Sequence, residues 1–548
     1  MPTAAERLVE RIIAHGIDRV FCVPGESYLN VLDALRDSDI DTVVARQEGG
    51  AAMMAEADGK MTGRPGVCFV TRGPGATNAS SGVHVAEQDS TPLVLFVGQV
   101  ATDMLGRGAF QEVDYEKFFG GMAKAVMQLG PSDDIAEVAD EAFRIAQDGR
   151  PGPVVVALPE DLQGDGGPSN TERRKREPGL NPQLADEVGR LHRFLGEATR
   201  PVVIAGGGSW SEAGVAQLQD FAECWSVPVA VVFRRQHLFN NDHPNYAGDC
   251  GIGLNPDLRA RIDDADLVLV LGTRFSEIPS QSYTLLERPA DGQRLVHVHV
   301  SETERFAHAD LRITAHPQQV LDILCQLEVP TVDRDDLVAK ARGQFEAWSG
   351  QPPRIPGTLQ MGEVMQHLRA ELPDDVIITN GAGNYSSWVH RYFRFRGYGT
   401  QLAPTSGSMG YGLPAAVAAK IRFPDHAIVC FAGDGCFQMT GQEFGTAVQR
   451  RANVIVIVVD NGMYGTIRMH QERRFPTRVH ATDIVNPDFA ALARAYGGFG
   501  ATVSNTDEFP QALQQAFEAG VPALIHLKVD PEAIMPDTTL AELRGKSA

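Results

Sequence analysis

The 548-residue chain carries 49 Lys and Arg against 70 Asp and Glu, a net charge of −21, with 43% hydrophobic and 22% charged residues. That length calls for roughly three domains with sizeable cores, the composition is ordinary globular protein, and the acidic balance disfavours a nucleic-acid backbone or an anionic membrane as partner. The longest apolar runs, such as Val454–Val459 and Leu267–Leu271, fall well short of the roughly 18 residues of a membrane span.

The chain opens Met1-Pro-Thr-Ala-Ala-Glu-Arg, without the basic region and apolar stretch of a secretory signal, so a cytoplasmic protein is expected. Seven cysteines (Cys22, Cys68, Cys224, Cys250, Cys325, Cys430, Cys436) are scattered, with no C-x-x-C pair. That spacing argues against a zinc site or a disulfide framework.

Short β-branched or apolar runs then recur along the chain: Val67–Thr71, Leu93–Gly98, Val154–Leu158, Val202–Ala205, Val229–Phe233, Leu267–Leu271, Leu295–Val300, Val376–Thr379, Ile428–Phe431, Val454–Val459 and Leu524–Val529. Amphipathic stretches separate them, which is the pattern of parallel sheets buried on both faces and covered by helices. No short sequence repeat is visible. Two stretches rich in Pro, Gly and charge, Gly164–Pro182 and Val329–Pro356, read as linkers. The expected fold class is α/β, with three doubly wound parallel-sheet domains at about 1–165, 183–330 and 357–548.

In the first domain, Glu48 stands just before a run of small and apolar residues within Ala45–Gly59. A carboxylate there is expected to be poorly solvated, and burial raises a carboxyl pKa. Out of context a helix-terminal Glu pairing with Arg46 is the commoner reading.

In the third domain, His426–Gly435 reads as a buried strand ending in Gly433-Asp434-Gly435, with a helix expected near Gly441–Arg450. Glycines at the carboxyl end of a strand let backbone approach phosphate oxygens, and a following helix adds free N–H groups. The negative Asp434 would be misplaced there without a cation. A second strand, Asn453–Val459, ends in Asp460-Asn461-Gly462-Met463, so two oxygen-rich turns can share one ion. Mg²⁺ takes octahedral oxygen ligands and bridges protein to phosphates. The assigned ligands are Asp434, Asn461 and the carbonyl of Met463, completed by diphosphate oxygens and water.

Gly-Asp-Gly, a spacer and then Asn resembles the motif of thiamine-diphosphate-dependent enzymes. Upstream, Thr405–Ala416 matches the segment that holds the aminopyrimidine ring in that superfamily, which assigns Gly407 and Met409. The apolar Met409 would force the bent cofactor conformation, and a backbone carbonyl would orient the amino group. Glu48 becomes the carboxylate that shares a proton with the pyrimidine nitrogen and drives formation of the C2 carbanion, chemistry that belongs to the cofactor.

Val23–Ser27, Arg46–Gly50, Val70–Asn78, Asp89–Pro92, Gly98–Val100 and Ala109–Glu112 resemble the first domain of the acetolactate synthase and pyruvate oxidase group, and the resemblance covers nearly the whole chain in order. It implies pyrimidine-binding, central and diphosphate-binding domains, and active sites at the interface of a homodimer or homotetramer, where Glu48 meets the Asp434 site. It also places Gly25, Phe110, Gln111 and Lys124 near the reacting carbons, with Gly25 and Gln111 the firmest, and Gln111 as a hydrogen-bond donor to developing charge. Phe110 otherwise reads as core and Lys124 as a surface charge, while His84 either faces the cofactor or satisfies a helix neighbour.

The family pattern also departs. Acetolactate synthases carry Arg-Phe-Asp-Asp-Arg at the end of the middle domain, where this chain has Arg274-Phe-Ser-Glu-Ile278. Their acceptor-recognising Trp corresponds to His470. The run Pro201–Gly208 resembles a nucleotide-binding turn, but the Gly-Met-His-Gly-Thr-like segment of flavin-containing members is replaced by Ala247–Gly253, so FAD is disfavoured in the central domain. The expected activity is acetolactate synthase-like carboligation of a 2-oxo acid. The alternatives are a simple 2-oxo acid decarboxylase, although the His-His pair of pyruvate decarboxylase relatives is absent, a 2-hydroxyacyl-CoA lyase, or a non-catalytic cofactor-binding subunit.

Overall fold

The computed structural model describes residues 2–164, 181–287, 292–330 and 333–546. Among them, eighteen strands form three six-stranded sheets whose paired strands all run parallel. The first sheet comprises β1 (Arg19–Cys22), β2 (Asp41–Val44), β3 (Gly66–Val70), β4 (Leu93–Gln99), β5 (Ala125–Gln128) and β6 (Pro153–Pro159), in the order β2-β1-β3-β4-β6-β5. The second holds β7 (Pro201–Ala205), β8 (Val229–Val232), β9 (Tyr246–Cys250), β10 (Leu267–Leu271), β11 (Arg294–His299) and β12 (Leu311–Thr314), ordered β12-β11-β10-β7-β8-β9. The third has β13 (Ile377–Asn380), β14 (Gln401–Leu402), β15 (Ile428–Gly433), β16 (Ile455–Asp460), β17 (Phe499–Val503) and β18 (Ala523–Lys528), ordered β14-β13-β15-β16-β18-β17.

The first and third sheets therefore share one topology, a repeat of architecture that leaves no visible repeat in sequence. The middle sheet has the doubly wound order in which ligands bind at the point of strand reversal.

All eleven apolar runs are strands, shifted by a residue or two at their ends. The seven strands without such a run are β1 and the six sheet edges, β2, β5, β9, β12, β14 and β17. Interior strands such as β3, β4 and β10 are buried at every position, whereas β2 and β5 are mostly half-exposed and β14 is two residues long. An edge strand needs no continuous apolar run, so it carries none.

The first and third domains share one continuous hydrophobic core, and the central domain keeps its own two. The junction is the helix Glu48–Thr62, buried without interruption from Gly49 to Gly59. It packs on the helices Pro74–Asp89 and Gly412–Arg422, and Gly and Ala on facing surfaces permit the approach: a Cβ on Gly82 would stand 2.5 Å from that of Ala52. A helix of mostly small and apolar residues without a polar face belongs inside a core, and its buried Glu56 and Asp58 are paired there with Lys60 and Arg422.

The first expected linker, Gly164–Pro182, lies almost wholly outside the described residues. The second is not a simple linker, because Asp335–Ser349 within Val329–Pro356 is a helix. Only Ala341, Phe345 and Ser349 of it are buried, so its charged faces mask the periodicity in sequence. Phe345 meets Tyr246 edge-on at 4.8 Å, and the preceding Arg334 donates to the carbonyls of Trp225 at 2.9 Å, Leu195 and Ala198.

All three domains meet at Asp89, the last residue of the helix Pro74–Asp89. Its fully buried carboxylate accepts from Lys60 Nζ at 2.5 Å, from the Thr405 backbone N–H at 2.8 Å and from the Thr405 hydroxyl, and it pairs with Arg235 at 3.4 Å. Glu56 continues the network, accepting from Thr91 and Tyr411 hydroxyls at 2.6 Å each and pairing with Lys60 at 3.0 Å. Burial pushes the Asp89 carboxyl up, but the Lys60 and Arg235 charges and the Lys60 and Thr405 hydrogen bonds outweigh it and hold the group at about 2. Its contribution to stability is complete above the ordinary value of 3.8 and is lost as pH falls through about 2. At neutral pH, Asp89→Ala strips the buried Arg235 of its countercharge and Lys60 of one of its two carboxylate partners and is expected to lower unfolding stability by about 3–5 kcal/mol, read from the denaturation midpoint; a midpoint within about 0.5 kcal/mol of the wild type would deny Asp89 this role.

Candidate active site

The third sheet presents two adjacent turns at the carboxyl ends of β15 and β16, its central strands. Gly433 ends β15, and a short helix, Asp434–Gln438, begins at once. The expected helix starts at Glu443, so Asp434 stands at a strand–helix junction. The buried Asp434 carboxylate accepts from Gly435 N at 2.9 Å and, through its other oxygen, from Gly462 N at 3.0 Å and Asn486 Nδ2 at 2.7 Å.

At the end of β16, Asn461 Oδ1 accepts from Met463 N at 3.2 Å, and Gly462 takes the left-handed conformation, φ +68°, that the turn requires. Bonds from Ile484 N to Gly462 O and from Tyr464 N to Thr482 O, 2.8 Å each, flank a bridge between Met463 and Asp483. A residue between two such bonds turns its own N–H and C=O away from the paired segment, so the Met463 carbonyl faces the Asn461 side.

Asp460 and Asn486 complete the constellation. Asp460 Oδ1 accepts from Gly462 N at 3.0 Å and Asn486 Nδ2 at 2.7 Å, while Oδ2 meets His526 at 2.7 Å and Lys528 at 3.2 Å. Burial pushes Asp460 up, but His526, Lys528, Asn486 and Gly462 hold it well below the usual carboxylate range. Burial and the neighbouring Asp460 push Asp434 the other way, up to about 6, against the Asn486 and Gly435 hydrogen bonds. A cation at Asp434 would remove that penalty, since a bound ion dominates local charge.

The residues fit a hard cation held jointly with a ligand. The donors are a carboxylate, an amide oxygen and a backbone carbonyl, and no group of three or more His, Cys, Asp or Glu able to hold a metal occurs among the described residues; phosphate oxygens and water would complete the shell. The glycines form a cradle: a Cβ on Gly433 would meet Tyr385 at 2.9 Å, one on Gly435 would meet Tyr464 at 2.7 Å, and one on Gly465 would meet Asn461 at 2.9 Å. Gly407, Met409, Gly433, Asp434, Gly435, Asn461 and Met463 all line one cavity of about 650 Å³. Gly407 has φ +69° and a half-buried Met409 follows it. His84, from the helix Pro74–Asp89, opens onto the same cavity.

Glu48, Gly25 and Gln111 do not line that cavity. They gather around Thr71–Gly75, at the carboxyl end of β3: Gly25 abuts Thr71, a Cβ on Gly73 would meet Gln111 Cβ at 2.8 Å, and one on Gly75 would lie 3.5 Å from Glu48 Oε1. Gln111 and Gly73 both have positive φ, +63° and +62°, which marks a tightly constrained pair.

Glu48 opens its helix, with Oε2 accepting from Asn78 Nδ2 at 2.9 Å. The expected burial is only partial in the single chain, where Glu48 is half-buried; the small and apolar residues after it pack against other helices and leave its own end open. Phe110 is no core residue, being 75% exposed. Lys124 stands at the amino end of β5, the opposite end from Glu48, where Nζ donates to the Ile145 and Asp148 carbonyls at 2.6 Å each. Burial lowers its pKa to about 8.

Sequence reasoning missed Asn486, the Asp460–His526 pair and the Gly381–Tyr385 turn after β13. The last had a signal, glycines following an apolar run; Asn486 had none, because its meaning lies in which carboxylates it reaches.

In the central domain, strand order reverses between β7 and β10, and the crevice there encloses about 50 Å³, against the few hundred Å³ or more of a typical ligand pocket. The Gly206 carbonyl accepts from Trp210 at 2.8 Å and that of Gly207 from Arg235 at 3.1 Å, while a Cβ on Gly208 would meet Ser90 O at 2.7 Å. These glycines serve contacts within the protein.

Domain-family comparison matches residues 2–118 to the thiamine pyrophosphate enzyme N-terminal TPP binding domain, 188–324 to the central domain and 381–527 to the C-terminal TPP binding domain. Among curated relatives, acetolactate synthase of Mycobacterium bovis is 31% identical, covering 94% of this chain and 86% of the relative. The isozyme 2 large subunit of acetolactate synthase from Escherichia coli is 29% identical over 96% and 95%, and a probable acetolactate synthase large subunit of Methanocaldococcus jannaschii 29% over 97% and 93%. With three domain matches in step with the three sheets, and such identity along nearly its whole length, the chain belongs to the thiamine pyrophosphate enzymes and is similar to acetolactate synthase large subunits.

Proposed function

We propose that this protein is a thiamine-diphosphate- and Mg²⁺-dependent enzyme that makes or breaks the carbon–carbon bond next to the carbonyl of a 2-oxo acid, with acetolactate synthase-like carboligation as its leading activity. The observation that carries the reading is the joint placement of Asp434, Asn461 and Met463 at two strand ends of a glycine-lined cavity. Asp434, Asn461 and the Met463 carbonyl would hold the metal, the turns at Gly433 and Gly435 the diphosphate, and Met409 the bend of the cofactor. When bound, thiamine diphosphate supplies a carbon nucleophile for carbonyl addition and a sink for the electron pair left by CO₂.

Glu48 is the proposed proton-sharing carboxylate. Asn78 holds its Oε2 at 2.9 Å, which leaves Oε1 to exchange a proton with a ring nitrogen. Gln111, beside Gly73, would donate to a substrate oxygen as negative charge develops. Because the cluster of Glu48, Gly25 and Gln111 and the Asp434 cavity are separate in one chain, the reading calls for Glu48 of a partner subunit to complete each site, with a homodimer as the smallest active unit. Ile278, which lines the cavity where the resemblance expects an arginine, favours the second reading, a simple decarboxylase or 2-hydroxyacyl-CoA lyase. The presence of Glu48, Asp434 and Asn461 together disfavours a non-catalytic subunit.

Two measurements test the reading. The purified protein with thiamine diphosphate, Mg²⁺ and pyruvate is expected to form acetolactate, and Glu48→Gln to slow that by about 10²–10⁴-fold, the range for a lost proton-transfer group, while cofactor-dependent thermal stabilisation persists. CO₂ with acetaldehyde and no condensed product selects the decarboxylase; stabilisation without turnover of any 2-oxo acid selects the non-catalytic subunit. Asn486→Ala is expected to weaken Mg²⁺ retention by about 10–100-fold, measured as the Mg²⁺ dependence of the melting temperature at saturating cofactor. An unchanged midpoint concentration would remove Asn486 from the metal's support.

A further inference from the structure

The cavity is longer than its cofactor-binding floor. Opposite the third-domain turns it is walled by the central domain, through residues at or beyond the carboxyl ends of β8, β9 and β10: Phe233, Ile252, Ile278 and Tyr283, with Trp388 closing the side. Ile252 and Tyr283 are each 60% exposed, large apolar surfaces that the single chain leaves uncovered at the cavity mouth.

This wall is built rather than loose. Gln281 Nε2 donates to Gly251 O at 3.1 Å and to Ile278 O at 2.9 Å, tying the loop that carries Ile252 to the loop that carries Ile278 and Tyr283. Ser282 N donates to Glu277 O at 2.8 Å, Tyr283 N to Ser280 Oγ at 2.9 Å and Leu285 N to Ser280 O at 2.9 Å. Gln281, Ser282 and Tyr283 are successively left-handed, at φ +52°, +60° and +61°. Three side-chain-bearing residues in that conformation are costly to hold and are found where a fixed side-chain direction serves a site.

The wall's charges decide what it suits. Arg234 is the only Lys or Arg among the described residues lining the cavity. Its amino groups are engaged by the Gly381 carbonyl, at 2.9 Å, and the Pro404 carbonyl, and it lies over the Phe233 ring at 4.7 Å. The other charged residue of the wall is Glu277, which opposes a second carboxylate on a substrate. Apart from the hydroxyl of Ser276, the rest of the central-domain wall is the aliphatic and aromatic surface of Phe233, Ile252, Ile278 and Tyr283.

Resting on the function proposed above, we infer that Phe233, Ile252, Ile278 and Tyr283 form a substrate subsite that selects carbonyl compounds bearing a branched aliphatic or aromatic substituent over those of pyruvate size. An apolar pocket discriminates by the methylenes it covers, about 10–200-fold for each, so a phenyl group gains contact there that a methyl group cannot reach.

The test uses the holoenzyme and two phosphonate analogues of 2-oxo acids that cannot lose CO₂, acetylphosphonate and benzoylphosphonate, with binding measured by titration calorimetry. Benzoylphosphonate is expected to bind at least about tenfold more tightly, and Ile278→Ala and Tyr283→Ala each to reduce that preference severalfold in proteins that melt like the wild type. Equal binding of the two analogues, a preference for the methyl compound, or a preference unchanged in both variants would overturn the subsite while leaving cofactor-dependent binding, and the function proposed above, in place. Failure of both analogues to bind in the presence of cofactor would overturn the subsite and that function together.

Discussion

The buried carboxylate of Asp89 is the constraint on which the arrangement of this molecule depends. Three sheets could pack in many ways, and apolar surface alone does not choose among them, because hydrophobic contact is non-directional. A carboxylate shut away from water does choose: it is tolerable only where cations and hydrogen-bond donors converge on it. Asp89 finds Lys60 in its own domain, Arg235 in the central domain and Thr405 in the third. Thr405 lies two residues before Gly407 and four before Met409, so the interaction that sets the domains against one another also fixes the segment assigned to the pyrimidine ring.

From that fixed point the site follows from sheet direction. In a parallel sheet all carboxyl ends lie on one edge, and ligands settle there. The central strands of the third sheet bring Asp434 and Asn461 to that edge side by side, and the first sheet does the same for Gly25, Thr71 and the Gln111 pair. Glycine lets these pieces come closer than a Cβ permits, as at Gly50, where a Cβ would stand 2.6 Å from Glu443 Oε1. Glu443, fully buried, accepts from the Arg46 backbone N–H at 3.1 Å and 3.2 Å, which anchors the approach to Glu48 from the third domain. The first-domain cluster and the third-domain cavity remain apart in one chain.

What could be read from the sequence and what could not divide along physical lines. A strand buried on both faces must be apolar throughout, so eleven interior strands announced themselves. The edges, β2 and β17 among them, are partly solvated and mix polar with apolar residues, and β1 is only four residues long. The helix Asp335–Ser349 buries three residues in fifteen, too thin a stripe to stand out from a charged linker. The same division runs through the site. Gly433-Asp434-Gly435 and Asn461 were legible as adjoining strand-end turns because a tight turn after a buried strand demands particular residue types within a short span. Asn486 was not, because an asparagine that bridges two carboxylates 26 and 52 residues away leaves no local trace. Glu48 was legible as a residue but not in its setting, since its exposure depends on what covers the end of its helix.

The central domain makes the same point about function. Its strand order belongs to sheets that bind dinucleotides at the reversal point, yet Trp210, Arg235 and the Ser90 carbonyl occupy the glycine run there. The loops after β9 and β10 turn instead toward the third domain's cavity and are braced by Gln281. Fold order states where a ligand could bind, and side chains decide whether one does. In this chain the domain is retained as a scaffold that clamps Asp89 from one side and walls the large cavity from the other.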